Sequence, residues 1–153
     1  MPRLRALALV PFAAALYTAA CDTHAVGIDE CRSIEEARCE AARGCDDGLD
    51  SDSKQADCER FSRDNCLHGL PLKDTPRASD VDSCVAAIRA AGACAATHGV
   101  DTSAEGCPGL KGTFTKPKLT ACLVVESPEY SSECAFLISE PAQAAPPVDA
   151  GKD

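Results

Sequence analysis

The chain has no tryptophan, and aromatic residues make up only 4% of its 153 positions. If an N-terminal signal segment is removed, the large apolar anchors reduce to Phe61, Phe114, Phe136 and Tyr130. Much of the 45% hydrophobic content is alanine and cysteine, so a core of these side chains buries little area at roughly 25 cal/mol per Å². Basic residues are also short. The formal charge is −9, and it becomes −11 once Arg3 and Arg5 leave with the leader. Such a chain repels phosphate backbones and anionic membranes, which argues against nucleic-acid binding. Catalytic signatures are missing too. There is no Gly-x-Ser-x-Gly elbow and no His-Glu-x-x-His. There is no Cys-x-x-Cys, which disfavours thioredoxin chemistry, haem attachment and the common zinc ribbons. No enzymatic activity, cofactor or metal site is therefore expected. Beyond the first twenty residues no apolar run approaches the roughly 20 residues of a membrane span.

What the chain has instead is eleven cysteines. In an oxidising compartment each disulfide typically adds about 2–4 kcal/mol and supplies what a thin core lacks. Residues 1–20 have the three parts of a secretory signal peptide: Arg3 and Arg5, an apolar stretch from Leu4 to Leu16 broken by Pro11, and the small residues Thr18-Ala19-Ala20. Cys21 follows directly. Thr18-Ala19-Ala20-Cys21 resembles a bacterial lipobox, which implies lipidation at Cys21 and a bilayer as partner through the acyl chain. Cleavage by an ordinary signal peptidase after Ala20 fits the same small residues. Acylating Cys21 leaves ten cysteines, an even number: Cys31, Cys39, Cys45, Cys58, Cys66, Cys84, Cys94, Cys107, Cys122 and Cys134. Asp22 resembles the inner-membrane retention signal of some Gram-negative lipoproteins.

Residues 21–29 read as a tether, 30–139 as one disulfide-rich helical domain, and 140–153, rich in Pro and Ala, as a disordered tail. Five of the ten cysteines precede the 71–78 linker and five follow it, so full pairing requires a bridge across it. That favours one domain over two.

The expected fold is all-α, a small disulfide-stapled bundle of about four short helices with a helical hairpin in its N-terminal half. Helix one is read from Asp29 or Ser33 to Arg43, with Ser33-x-x-Glu36 as a capping box and Gly44 as a left-handed stop. Helix two runs from near Ser53 to His68, anchored by Phe61 and closed by a Schellman-type Gly69-Leu70. Helix three is capped by Ser79, has Asp80 and Asp82 in its first turn and ends at Gly99. Ala91, Gly92, Ala93, Ala95 and Ala96 make its second half slim enough for another helix to approach closely. Lys118–Glu126 fits a strand or a helical turn equally well. Ser127-Pro128 opens a last helix to Ile138 that buries Cys134 with Phe136 or Leu137.

Cys31-x7-Cys39 and Cys58-x7-Cys66 flank an acidic turn at equal spacing. Residues eight apart on a helix lie roughly 12 Å apart along its axis, so an antiparallel pair brings both cysteine pairs level. The spacing predicts bridges Cys31–Cys66 and Cys39–Cys58, with Cys45 free to reach the second half. The alternative sends Cys31 or Cys45 to helix three and Cys39 to helix two. The motif loosely resembles the twin-cysteine hairpins of the mitochondrial intermembrane space, a likeness of geometry alone. A closer likeness lies in Cys58-Glu59-Arg60-Phe61-Ser62-Arg63-Asp64-Asn65-Cys66-Leu67-His68-Gly69-Leu70 and Val81-Asp82-Ser83-Cys84-Val85-Ala86-Ala87-Ile88. These segments resemble small cysteine-rich predicted lipoproteins of Gram-negative bacteria, a group without an assigned activity. The resemblance implies location and no mechanism.

Two functional readings follow. In the first, the protein is a non-enzymatic cell-envelope lipoprotein, held on the periplasmic side or at the cell surface, that presents an acidic helical surface to a protein partner or envelope polymers. In the second, it binds a cation or small ligand through the 46–52 turn, where Asp46, Asp47, Asp50 and Asp52 surround Gly48. That turn does not meet the EF-hand pattern, and a solvated helix-linking turn has the same composition. A secreted inhibitor of exogenous proteases also fits a disulfide-dense domain, although no loop marks itself as bait. His24, His68 and His98 are isolated, and the latter two fall at predicted helix ends, where an imidazolium complements the dipole.

Overall fold

The computed structural model describes residues 25–45, 49–116 and 118–138. Residues 1–20, expected as a signal segment, together with Cys21, Asp22, His24, the turn residues Asp46, Asp47 and Gly48, and residues 140–153, expected as a tail, lie outside them. The described chain is helical and carries five disulfides. Its helices are α1 (Ile28–Ala42), α2 (Asp52–Asn65), α3 (Ala78–His98) and α4 (Ala121–Glu126). Short 3-10 segments cover Arg43–Cys45, Cys66–His68, Ala104–Gly106, Pro128–Tyr130 and Ser132–Leu137.

Pairwise contacts fix the directions. Cys31–Cys66 and Cys39–Cys58 make α2 antiparallel to α1, with Cα separations of 5.6 and 5.8 Å. Glu40 pairs with Arg89 at 2.8 Å, Ala41 abuts Gly92, and Gly44 abuts Gly92 and Ala96, so α3 runs parallel to α1. Cys45 bridges to Cys122 while Arg38 reaches the carbonyls of Val125 and Glu126, so α4 runs back down. Cys84–Cys134 and Cys94–Cys107 then tie the C-terminal turns and the 99–107 loop onto α3.

The core is thin, as the composition requires. Ile34, Ala37, Ala41, Val81, Ile88, Ala91, Ala95, Leu119, Val124 and Val125 are buried around α3. The largest fully buried side chains are Ile88, Val124, Ser131 and four half-cystines, Cys39, Cys66, Cys84 and Cys134. The bridges therefore fill space as well as crosslink it. Close approach of α1 to α3 depends on the glycines facing each other. A Cβ on Gly44 would lie 2.2 Å from the Gly92 carbonyl oxygen, and one on Gly92 would lie 2.6 Å from Ala41 Cβ.

Several local expectations are corrected. α1 begins at Ile28 behind Gly27 in the left-handed region (φ 65°), and Ser33 is interior, donating to the Asp29 carbonyl instead of capping. Gly44 is not left-handed; it sits in the 3-10 turn and is needed for the approach to α3. The cap of α2 is Ser51, whose Oγ accepts from the Lys54 amide. Gly69 does take positive φ (70°), but the Leu70 amide donates to Val26 at 2.7 Å instead of closing a Schellman bond within the helix. Phe61 is not an anchor: it is 68% exposed. The inward seam of α2 is Cys58, Ser62 and Cys66, and Phe61 lies one residue, or about 100°, off that line. Ser79 lies inside α3, behind Arg77 at the N-cap, and Gly99 (φ 100°) ends the helix as read.

The ambiguous 118–126 stretch resolves as helix α4, with Thr120 Oγ1 accepting from the Leu123 amide. The single helix expected over 128–138 is two 3-10 turns split at Ser131. Residues 113–115 take the backbone groups a continuous helix would use: the Ser132 amide donates to Thr113 and the Thr115 amide to Tyr130, both at 2.9 Å.

Candidate functional site

The acidic turn is only half described, and both described carboxylates are already engaged. Asp50 pairs with Lys54 at 2.8 Å and Asp52 with Arg43 at 2.9 Å. The hydrogen bond and charge of Lys54 hold the Asp50 carboxyl below its ordinary pKa. The described residues contain no group of three or more His, Cys, Asp and Glu placed to hold a metal ion. His68 and His98 are both exposed in last turns, His68 in the 3-10 turn after α2 and His98 in α3. All ten cysteines from Cys31 to Cys134 are in bridges, so this part of the chain offers no thiol nucleophile.

Three constellations stand out in the geometry. The most developed joins the 111–113 loop to the 131–133 turn. Ser131, fully buried, donates to Glu133 Oε2 at 2.7 Å, and Ser132 Oγ donates to the same oxygen at 3.3 Å. The Thr113 amide donates to Ser132 Oγ at 3.1 Å. Gly112 makes room for the carboxylate, since a Cβ there would overlap Glu133 Oε2. Partial burial pushes the Glu133 pKa up, but hydrogen bonds from Ser131, its own amide, Ser132 and the Lys111 backbone outweigh it and hold the group ionised. A carboxylate kept charged by fixed donors is a poor general acid, and no histidine accompanies the serine. The adjoining cleft, about 540 Å³, is rimmed by the exposed Arg77–Asp80 pair and by Lys111 and Phe136. It is polar and wide rather than a convergent apolar pocket of the kind that holds small ligands.

The second constellation is centred on Arg38. Its Nε donates to the Val125 carbonyl at 3.0 Å, its Nη2 to that of Glu126 at 2.7 Å, and its Nη1 to Glu35 at 2.7 Å. A guanidinium here satisfies carbonyls at the end of α4, where a cation also meets the favourable end of the helix dipole. The third is a cleft of about 180 Å³ between α1 and α2, lined by Arg32, Glu36, Glu59, Ser62 and Arg63. Arg32 Nε is buried there with no hydrogen-bond partner, while its Nη1 meets Asp29 at 3.2 Å.

These groups are structural ties in their present geometry. The sequence pattern points to none of them, because Arg38 meets the carbonyls of Val125 and Glu126, and Gly112 meets Glu133, only across segments distant in the chain. The two hairpin bridges are those the spacing predicts, Cys31 with Cys66 and Cys39 with Cys58, and Cys45 reaches the second half, where its partner is Cys122. No protein-family model, curated protein or solved structure matches this chain.

Proposed function

We propose that the protein is an exported, lipid-anchored module of the bacterial cell envelope, acting by presenting a rigid acidic surface to a protein partner or envelope polymer, without catalysis. One observation carries this reading: five bridges consume every cysteine from Cys31 to Cys134, and Cys21 is the odd one, directly behind a basic, apolar and small-residue leader. Five disulfides belong to an oxidising compartment. The first helix begins seven residues after Cys21, a tether that holds the domain near whatever surface the cysteine is fixed to. The cation-binding alternative is weakened by the ion pairs that already occupy Asp50 and Asp52.

The test is the mass of the N-terminal peptide of membrane-extracted protein. An acylated Cys21 is expected. An unmodified Cys21 N-terminus recovered from the soluble fraction would overturn the reading.

A further inference from the structure

The N-terminal entry, the turn after α2 and the approach to α3 meet at one end of the bundle. Val26 and Leu70 form an antiparallel bridge, with the Leu70 amide donating to Val26 at 2.7 Å. A Cβ on Gly27 would lie 3.2 Å from Leu70 Cδ1 and 3.4 Å from Pro76 Cδ. The chain here runs Leu67-His68-Gly69-Leu70-Pro71-Leu72, with no Asp, Glu, Lys or Arg in a sequence that is 25% charged. Leu67 is 54% exposed, Pro71 is exposed and Leu72 half-buried, while Leu70 packs against the core. Arg63 and Lys73 flank the segment on the exposed surface, each next to an aspartate, Asp64 and Asp74, and Glu30 Oε2 lies 3.6 Å from the Gly27 Cβ position at the same end.

We infer that this end is the bilayer-facing surface of the domain, with Leu67, Pro71 and Leu72 seated at the headgroup–acyl boundary and Arg63 and Lys73 reaching lipid phosphates. The inference rests on the anchor reading at Cys21 and adds to it an orientation and a contact surface. Its physical basis is the length of chain that leads to this end. Ala25 lies four positions after Cys21, which limits their distance to at most about 14 Å. Ala25 adjoins the Val26–Leu70 bridge, so an acyl chain on Cys21 brings the Leu67–Leu72 turn to the membrane surface, where interfacial segments bury their apolar side chains by about 5–10 Å. Long basic side chains beside such a segment reach the headgroups while their stems stay in the apolar layer. α3 starts at this end and its 21 residues carry the chain roughly 30 Å away, leaving Val100 at the opposite pole.

The lack of tryptophan makes the test direct. Full-length Leu67→Trp and Val100→Trp proteins, processed in cells, are reconstituted into phosphatidylcholine vesicles with ordinary or bromine-labelled acyl chains. Both positions are partly exposed, so the substitutions displace little of the core. Non-reducing mass analysis checks that all five bridges have formed, and Leu72→Trp carries the same test if Leu67→Trp fails that check. The expected result is a blue-shifted Leu67→Trp emission that roughly halves in brominated lipid, the behaviour of an indole at the interface, with Val100→Trp unchanged. The N-terminal peptide mass is read from the same preparation. Acylated protein with an unquenched residue 67, or with both positions quenched equally, overturns the orientation and leaves the anchor standing. An unmodified Cys21 overturns the anchor and the orientation with it.

Discussion

Replacing Gly92 by alanine sets two effects of known size against each other. Glycine inside a helix is about 0.8–1.0 kcal/mol worse than alanine, so propensity alone says that Gly92→Ala stabilises α3. The structure leaves the added methyl no room: its carbon would sit 2.6 Å from Ala41 Cβ and 2.7 Å from both Cα and the carbonyl oxygen of Ala41. Two of those three atoms are backbone, so rotamer changes cannot relieve the clash, and α1 must move away from α3. That movement is resisted by the Cys45–Cys122 bridge to α4, which itself packs on α3, and by the 2.8 Å Glu40–Arg89 pair. Overpacking of this kind costs about 1–3 kcal/mol, and a backbone clash belongs in the upper part of that range. Less the propensity gain, Gly92→Ala should lose about 1–2 kcal/mol, a fall in Tm of several degrees for a domain of this size. Circular dichroism melting without reductant measures it. Gly106→Ala is the control, because Gly106 has no positive φ and nothing lies within 4 Å of its Cβ position. An unchanged or raised Tm for Gly92→Ala would refute the claim that contact between small residues sets the α1–α3 distance.

Arg38→Ala should cost about 1–3 kcal/mol in denaturant unfolding, since it leaves the Val125 and Glu126 carbonyls without their charged donor, and Arg38→Lys should restore little, having no fork to span both. Glu133 supplies the pH dependence. Its folded-state pKa lies below the ordinary 4.5, so its contribution is full above that value and is lost as pH falls through the lower folded one. Glu133→Gln should therefore melt earlier than the parent at neutral pH and show a flatter decline in Tm under acid, and parallel acid profiles would contradict this account.

The features legible in the sequence were those set by spacing along one helix. Equal seven-residue gaps put Cys31 opposite Cys66 and Cys39 opposite Cys58, and the Ala/Gly half of α3 announced a close neighbour. Phe61 misled because size suggests burial, whereas the face of a helix is decided by register, and here the cystines hold the register. The last helix misled because its local signals, Ser127 and Pro128, say nothing of the 113–115 segment that pairs with it. Gly44 suggests a left-handed stop by its place after the helix, but it is needed for its missing side chain. The candidate sites were less legible still. A charged residue such as Arg38 has no periodicity, and the Val125 and Glu126 carbonyls it reaches are known only once the chain has closed on itself.

The order in which the bridges overlap along the chain has a consequence for life among proteases. Between Cys31 and Cys134 every peptide bond is spanned by at least one disulfide, so a single cut there frees no fragment. Over most of that length the cover is shared. From Cys66 to Cys84, including the exposed stretch around Lys73 to Thr75, it falls to Cys45–Cys122 alone. That bridge decides whether a protein nicked in this connector remains one covalent object or becomes two.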